Sequence, residues 1–184
     1  LATIVRAALT DRAGWKDLAR EAQQEGHILS LMQSGTFRFR SLDDARGLAH
    51  ILAGRCPDPT NVGLGLLELL VNAVEHGNLG ISTKEKARLL HQGVWEEEVR
   101  RRTELPENAA KWAEVSVVRE ERVIRFHIRD SGPGFDWKAF EQFDPARAFE
   151  PNGRGIALAR QLCFADLEYL GSGNEVRFSV PIEG

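Results

Sequence analysis

Cysteine is scarce in this chain: Cys56 and Cys163 are the only two in 184 residues, far apart and without CxxC or His-flanked spacing. That excludes a zinc ribbon and a disulfide framework, and it fits a reduced, cytoplasmic compartment. No run approaches the roughly 18 apolar residues of a membrane-spanning helix, and no signal peptide opens the chain, so no membrane partner is expected. Excess positive charge is missing too. A net charge of −3 argues against direct nucleic-acid binding, which favours a basic surface. There are no repeats, no low-complexity tract, and neither a GxGxxG nor a Walker-type P-loop box, so Rossmann and P-loop sites both fail. The bulk is that of an ordinary globular protein, 42% hydrophobic and 28% charged, enough for one sizeable core and an appended helical segment. The chain begins at Leu1 inside a helical pattern and is read as a piece of a longer polypeptide.

Residues 1–33 read as an amphipathic helical segment, a linker or dimer seam, with Leu1, Ile4, Val5, Ala8 and Leu9 at helical spacing. The remainder, 34–184, reads as one domain. Thr36–Arg40 alternates as a short strand, and Ser41 and Asp43 can cap the helix that follows, which ends near Cys56 before Pro57 and Pro59. A second helix is expected from about Asn61 to Gly77. Residues 82–104 form a charged helical insert with an apolar side of Leu89, Leu90, Trp95 and Val99. Strands are expected at 114–118, 123–129, 167–170 and 176–181, the last two joined by a tight turn at Gly171-Ser-Gly-Asn174. Helices clustered with a mixed, mostly antiparallel sheet predict an α+β fold, a two-layer sandwich with helices on one face.

The helix at Glu68-Leu-Leu-Val-Asn72-Ala-Val-Glu75-His76-Gly77-Asn78 carries a narrow polar stripe. At about 100° per residue, Glu68, Asn72, Glu75 and His76 share an arc of about a quarter turn, and Leu66, Leu67, Leu69, Leu70, Val71, Ala73 and Val74 fill the rest. An ordinary solvated face is wider and includes Lys or Arg. Carboxylate, amide and imidazole alone suit a hard cation or the acceptance of a proton; the plainer alternative is the partly exposed face of a core helix. Two glycine clusters favour a site. The third strand runs into Asp130-Ser-Gly132-Pro-Gly134-Phe135-Asp136, which can present a carboxylate while the backbone passes close to a flat ligand. Asn152-Gly153-Arg154-Gly155-Ile156 opens a helix, where backbone N–H groups, the helix dipole and a guanidinium suit phosphate.

In this order the three elements resemble the nucleotide site of the Bergerat-fold (GHKL) ATPases, the superfamily of gyrase, histidine kinases and MutL. The resemblance covers about residues 36–182, and the glycine–arginine–glycine form of the last box looks most like the anti-sigma-factor serine kinases. It implies ATP and Mg²⁺ as ligands, Asn72 as the metal ligand and Glu68 as the general base of a serine/threonine kinase. Asp130 would accept from the adenine amino group, Gly132 and Gly134 would let the backbone approach the base, and Asn152 to Ile156 would surround the phosphates. Glu75 and His76 are further candidates for ligand contact, with His76 equally able to brace the helix end. Phe135, with Trp137, Phe140, Phe143 and Phe149, makes the segment before the last box aromatic, either to pack it down or to stack on adenine. Ile4-Val5-Arg-Ala-Ala8-Leu-Thr-Asp11 resembles the linker after a response-regulator receiver domain. The implied partner is a protein: a sigma factor, its antagonist, or a receiver domain of the same polypeptide. Residues 1–33 or the first strand offer a surface for a homodimer. A non-catalytic, nucleotide-gated interaction module is the alternative.

Overall fold

The structure is a computed structural model that describes residues 31–137, 159–164 and 166–182. The N-terminal helical segment, the aromatic run at 140–149 and the Asn152–Ile156 box therefore lie outside the described residues, apart from Leu31, Met32 and Gln33. Residues 34–184 form a compact unit of their own.

Strand β1 (Ser34–Phe39) leads into helix α1 (Leu42–Ala53). Ser41 caps α1 by accepting the Asp44 N–H at 3.1 Å, and the Asp44 carboxylate accepts in return from the backbone of Arg40 and Ser41. The reciprocal partner is thus Asp44, three residues after the cap. Asp43 instead pairs with Arg46 on the surface. Helix α2 (Pro59–Asn72) starts earlier than its apolar pattern suggested. Asp58 accepts the Asn61 N–H, and Pro59 occupies the first turn, where its missing N–H costs nothing.

Helix α2 does not run on to Gly77. A π-helical turn, Ala73–Asn78, takes over, with the Leu79 N–H donating to the Val74 carbonyl at 3.0 Å. The extra residue per turn rotates everything after Asn72 away from the stripe expected at constant helical pitch. The insert is two helices, α3 (Thr83–Gln92) and α4 (Trp95–Thr103), separated where Gly93 adopts φ +72°. Only Leu89 and Val99 are buried in it; Leu90, expected on its apolar side, is exposed.

Five antiparallel strands follow the order β1-β2-β3-β5-β4, with β2 at Ala113–Arg119, β3 at Val123–Arg129, β4 at Glu168–Leu170 and β5 at Glu175–Pro181. Register aligns Val117 with Phe126 and Phe178, and Val115 with Ile128 and Val176. All of these side chains are buried, so one sheet face forms one wall of the core. Leu66, Leu69, Leu70 and Val74 from α2 and its π turn, with Leu52 and Ala49 from α1, are also in the core. Phe164 closes it, its ring 4.0 Å from that of Phe178, which in turn stacks on Phe126 at 5.1 Å. Gly65 makes the approach possible: a Cβ there would lie 2.5 Å from the Phe164 ring. This is the α+β sandwich that the strand and helix periodicities predict.

Candidate nucleotide site

Asp130 follows the last residue of β3 and is held through its backbone by Asn174 of the β4–β5 turn. Its N–H donates to the Asn174 carbonyl at 3.0 Å, and the Asn174 amide donates back to its carbonyl at 3.2 Å. Among the described residues the carboxylate accepts one hydrogen bond, from the Gly132 N–H at 2.7 Å. Burial pushes its pKa up to about 6, against the opposing pull of that amide. A desolvated carboxylate with unused lone pairs is an acceptor waiting for a donor.

Gly77 and Gly132 are required by what they touch. A Cβ on Gly77 would lie 2.3 Å from the Asp130 carboxyl carbon, and one on Gly132 would lie 2.2 Å from the Gly77 carbonyl oxygen. The π turn is thereby locked onto the Asp130 turn. Asn78 fastens the junction: its Oδ1 accepts the Ser131 N–H at 2.9 Å, and its backbone carbonyl accepts from Lys111 Nζ at 2.9 Å. Its Nδ2 is buried and has no partner among the described residues. Gly134, at φ +83°, and Gly173, at φ +94°, interlock the Asp130 turn with the β4–β5 turn, and the Phe135 N–H donates to the Ser172 carbonyl at 2.9 Å. Pro133 to Trp137, with Gly171 and Ser172, line an open hollow of about 430 Å³.

Glu68 and Asn72 lie one helical turn apart on α2, both partly exposed. Neither side chain has a hydrogen-bond partner among the described residues. An amide oxygen and a carboxylate left free on one helix face fit Mg²⁺, which takes few protein ligands and otherwise keeps water and phosphate oxygens. No cluster of three or more His, Cys, Asp or Glu side chains able to hold a metal by themselves occurs among the described residues.

Glu75 and His76 are used differently from the rest of the stripe. The Glu75 carboxylate is 0% exposed. It accepts from Lys86 Nζ, from Trp95 Nε1 at 2.9 Å, and pairs with His76 Nε2 at 3.1 Å. Burial on its own would raise its pKa, but His76 and Lys86 outweigh that and hold it low. His76 Nδ1 bonds the Ile81 carbonyl. With a carbonyl on one ring nitrogen and a carboxylate on the other, both must donate, which is the imidazolium form. Burial opposes that charge, and Glu75 with the Ile81 carbonyl overcomes the opposition and raises its pKa. The Glu75 carboxylate, expected as a candidate for ligand contact, is thus surrounded by Lys86, Trp95 and His76, in the π turn that follows the Glu68–Asn72 face.

Tyr169 on β4 is a residue that the sequence did not single out. Burial, together with the negative charge of Asp130 and Glu68, pushes its phenol well above its ordinary pKa, so it sits within the field of both carboxylates. Its ring meets that of Phe135 edge-on at 5.0 Å, so Phe135 packs against β4. Being the only tyrosine in the chain was its one visible mark.

A search of curated proteins gave no significant match. A family model, the histidine kinase-like ATPase domain, matches residues 45–180, from α1 through β5 and so across every element that builds this site. That match covers well over half of the chain, and the chain belongs to the histidine kinase-like ATPase family of ATP-binding domains.

Proposed function

We propose that this domain is an ATP–Mg²⁺-dependent serine/threonine kinase of the anti-sigma-factor type, acting as a switch on a protein partner. The observation that carries the reading is the Glu68 carboxylate one helical turn before the Asn72 amide, neither hydrogen-bonded to another side chain or to the backbone among the described residues. Asn72 would hold Mg²⁺ through Oδ1, and the ion would neutralise phosphate charge. Asp130 would accept from the adenine amino group, while Gly132 and Gly134 keep the backbone close to the base plane. Glu68 would take the proton of the acceptor hydroxyl. The hydroxyl oxygen then bonds to the γ-phosphorus as the β–γ bridging P–O bond breaks and ADP leaves, a transfer that needs positioning and charge neutralisation above all.

The charge on Asp130 favours adenine, and the insert sets this domain apart from compact anti-sigma kinases. The partner is a sigma factor, its antagonist, or a receiver domain on the same polypeptide. Incubation of the purified chain with γ-labelled ATP and candidate partners, followed by phosphosite mapping, tests the reading. Glu68→Gln should bind Mg-ATP as tightly as the wild type yet lose transfer by at least about 10²-fold. Undiminished transfer by that variant would remove Glu68 as base. Mg-ATP binding by the wild type without transfer to any partner would leave a nucleotide-gated interaction module instead.

A further inference from the structure

Helices α3 and α4 meet the nucleotide helix at one buried carboxylate. Glu75 lies in the π turn between Asn72, the proposed Mg²⁺ ligand, and Gly77, which touches the Asp130 carboxylate. Its two oxygens divide between the insert helices: Oε1 accepts from Lys86 of α3 and Oε2 from Trp95 of α4. The Lys86 ammonium also lies over the Trp95 ring, 5.4 Å from its centroid, so the two donors are mutually ordered. Further along, Arg102 of α4 reaches the Leu79 carbonyl just beyond the π turn, while its guanidinium pairs with Glu85 and Glu98. Lys111 reaches the Asn78 carbonyl inside the turn.

A buried carboxylate is costly unless it is paired and fully hydrogen-bonded. A π turn likewise lacks the regular bonding of an α-helix and persists where its surroundings over-determine it. Here the surroundings are the insert. We infer that Glu75 is a positioning residue through which the α3–α4 insert sets the conformation of the π turn, and so the placement of Asn72, Gly77 and Asn78 against ATP. The insert is then part of the nucleotide-binding machinery, and anything that moves it changes ATP affinity. The inference rests on ATP occupying the site described above.

The link is reciprocal: if the insert favours ATP binding, ATP must stabilise the insert by the same factor. In the wild-type chain, Mg-ATP should slow solvent exchange of the Trp95 indole N–H, read by NMR, by about the factor by which losing the insert contact weakens ATP. Trp95→Phe keeps the ring over Lys86 and removes the N–H; Glu75→Gln keeps an acceptor for Trp95 and removes the charge. Each should weaken Mg-ATP binding by about tenfold at temperatures well below melting. The double variant should weaken it by less than the product of the two, because both act on one contact. Leu52→Ala, a cut in the buried core on α1, controls for stability and should bind ATP as the wild type does.

Wild-type binding with both insert variants within twofold of it overturns the inference and leaves the nucleotide site intact. Affinity loss in Leu52→Ala equal to that in the insert variants, at matched stability, also overturns it, since the effect would then be general. Absence of ATP binding by the wild type overturns the site and the inference together.

Discussion

Asp130→Asn separates two consequences of one buried carboxylate. Without nucleotide, Asp130 keeps its proton up to about pH 6 in the folded chain and releases it near 3.8 when unfolded. Between those values the native state binds more protons, so stability falls as pH rises through that window, and the loss is complete above it. At about 1.4 kcal/mol per pH unit the shift sets an upper bound of roughly 3 kcal/mol. The carboxylate is partly solvated, and screening reduces the figure to roughly 1–2 kcal/mol. Asparagine keeps an oxygen for the Gly132 N–H and carries no charge. Apo Asp130→Asn should therefore melt roughly 2–8 °C above the wild type at pH 7, and level with it below pH 4. The same change turns an amide N–H₂ toward the adenine amino group, donor against donor. It should cost ATP binding about 10²-fold or more and narrow or reverse the preference for ATP over GTP, whose O6 accepts. Melting curves at the two pH values and titration with both nucleotides measure this. A variant less stable than the wild type at pH 7 that still binds ATP normally would refute the argument.

Gly77→Ala forces a Cβ into the Asp130 carboxyl and should reduce ATP affinity at least tenfold, with a loss of roughly 1–3 kcal/mol in denaturant unfolding. Gly65→Ala drives its methyl into the Phe164 ring; a similar stability loss is expected, with ATP affinity preserved in the folded fraction. His76 has a raised pKa between Glu75 and the Ile81 carbonyl, with Lys86 the opposing charge nearby. Its contribution is full below the unfolded value near 6.5 and is lost as pH rises through the higher folded one. Thermal melts from pH 6 to 9 should show that decline, and Glu75→Gln should flatten it.

The strands were legible because alternation survives any tertiary detail: in Val123–Arg129 every second residue, Ile124, Phe126 and Ile128, is buried, and the structure forms the strand over those residues. Asp130 was legible because a strand end followed by two glycines restricts the backbone to few uses. The roles of Glu75 and His76 were not. A helical wheel assumes constant pitch, and the π turn at Ala73–Asn78 breaks that assumption just after Asn72. Lys86 and Trp95, two of their partners, lie in a segment whose charge pattern reads as solvated surface, and Ile81 stands just before it. The division of the insert turns on Gly93, a left-handed C-cap glycine between two charged helical runs that together read as one segment. Tyr169 escaped because its significance comes from Glu68 and Asp130, which converge on it only in the fold.

In the proposed site, α2 presents Asn72 to the metal of a nucleotide whose base Asp130 reads. Calorimetric titration of wild type and Asn72→Ala with ATP, each with and without Mg²⁺, tests it most directly. Wild-type binding should strengthen with Mg²⁺, while Asn72→Ala should fold, keep weak metal-independent affinity and gain nothing from Mg²⁺. Equal enhancement by Mg²⁺ in both proteins would contradict it.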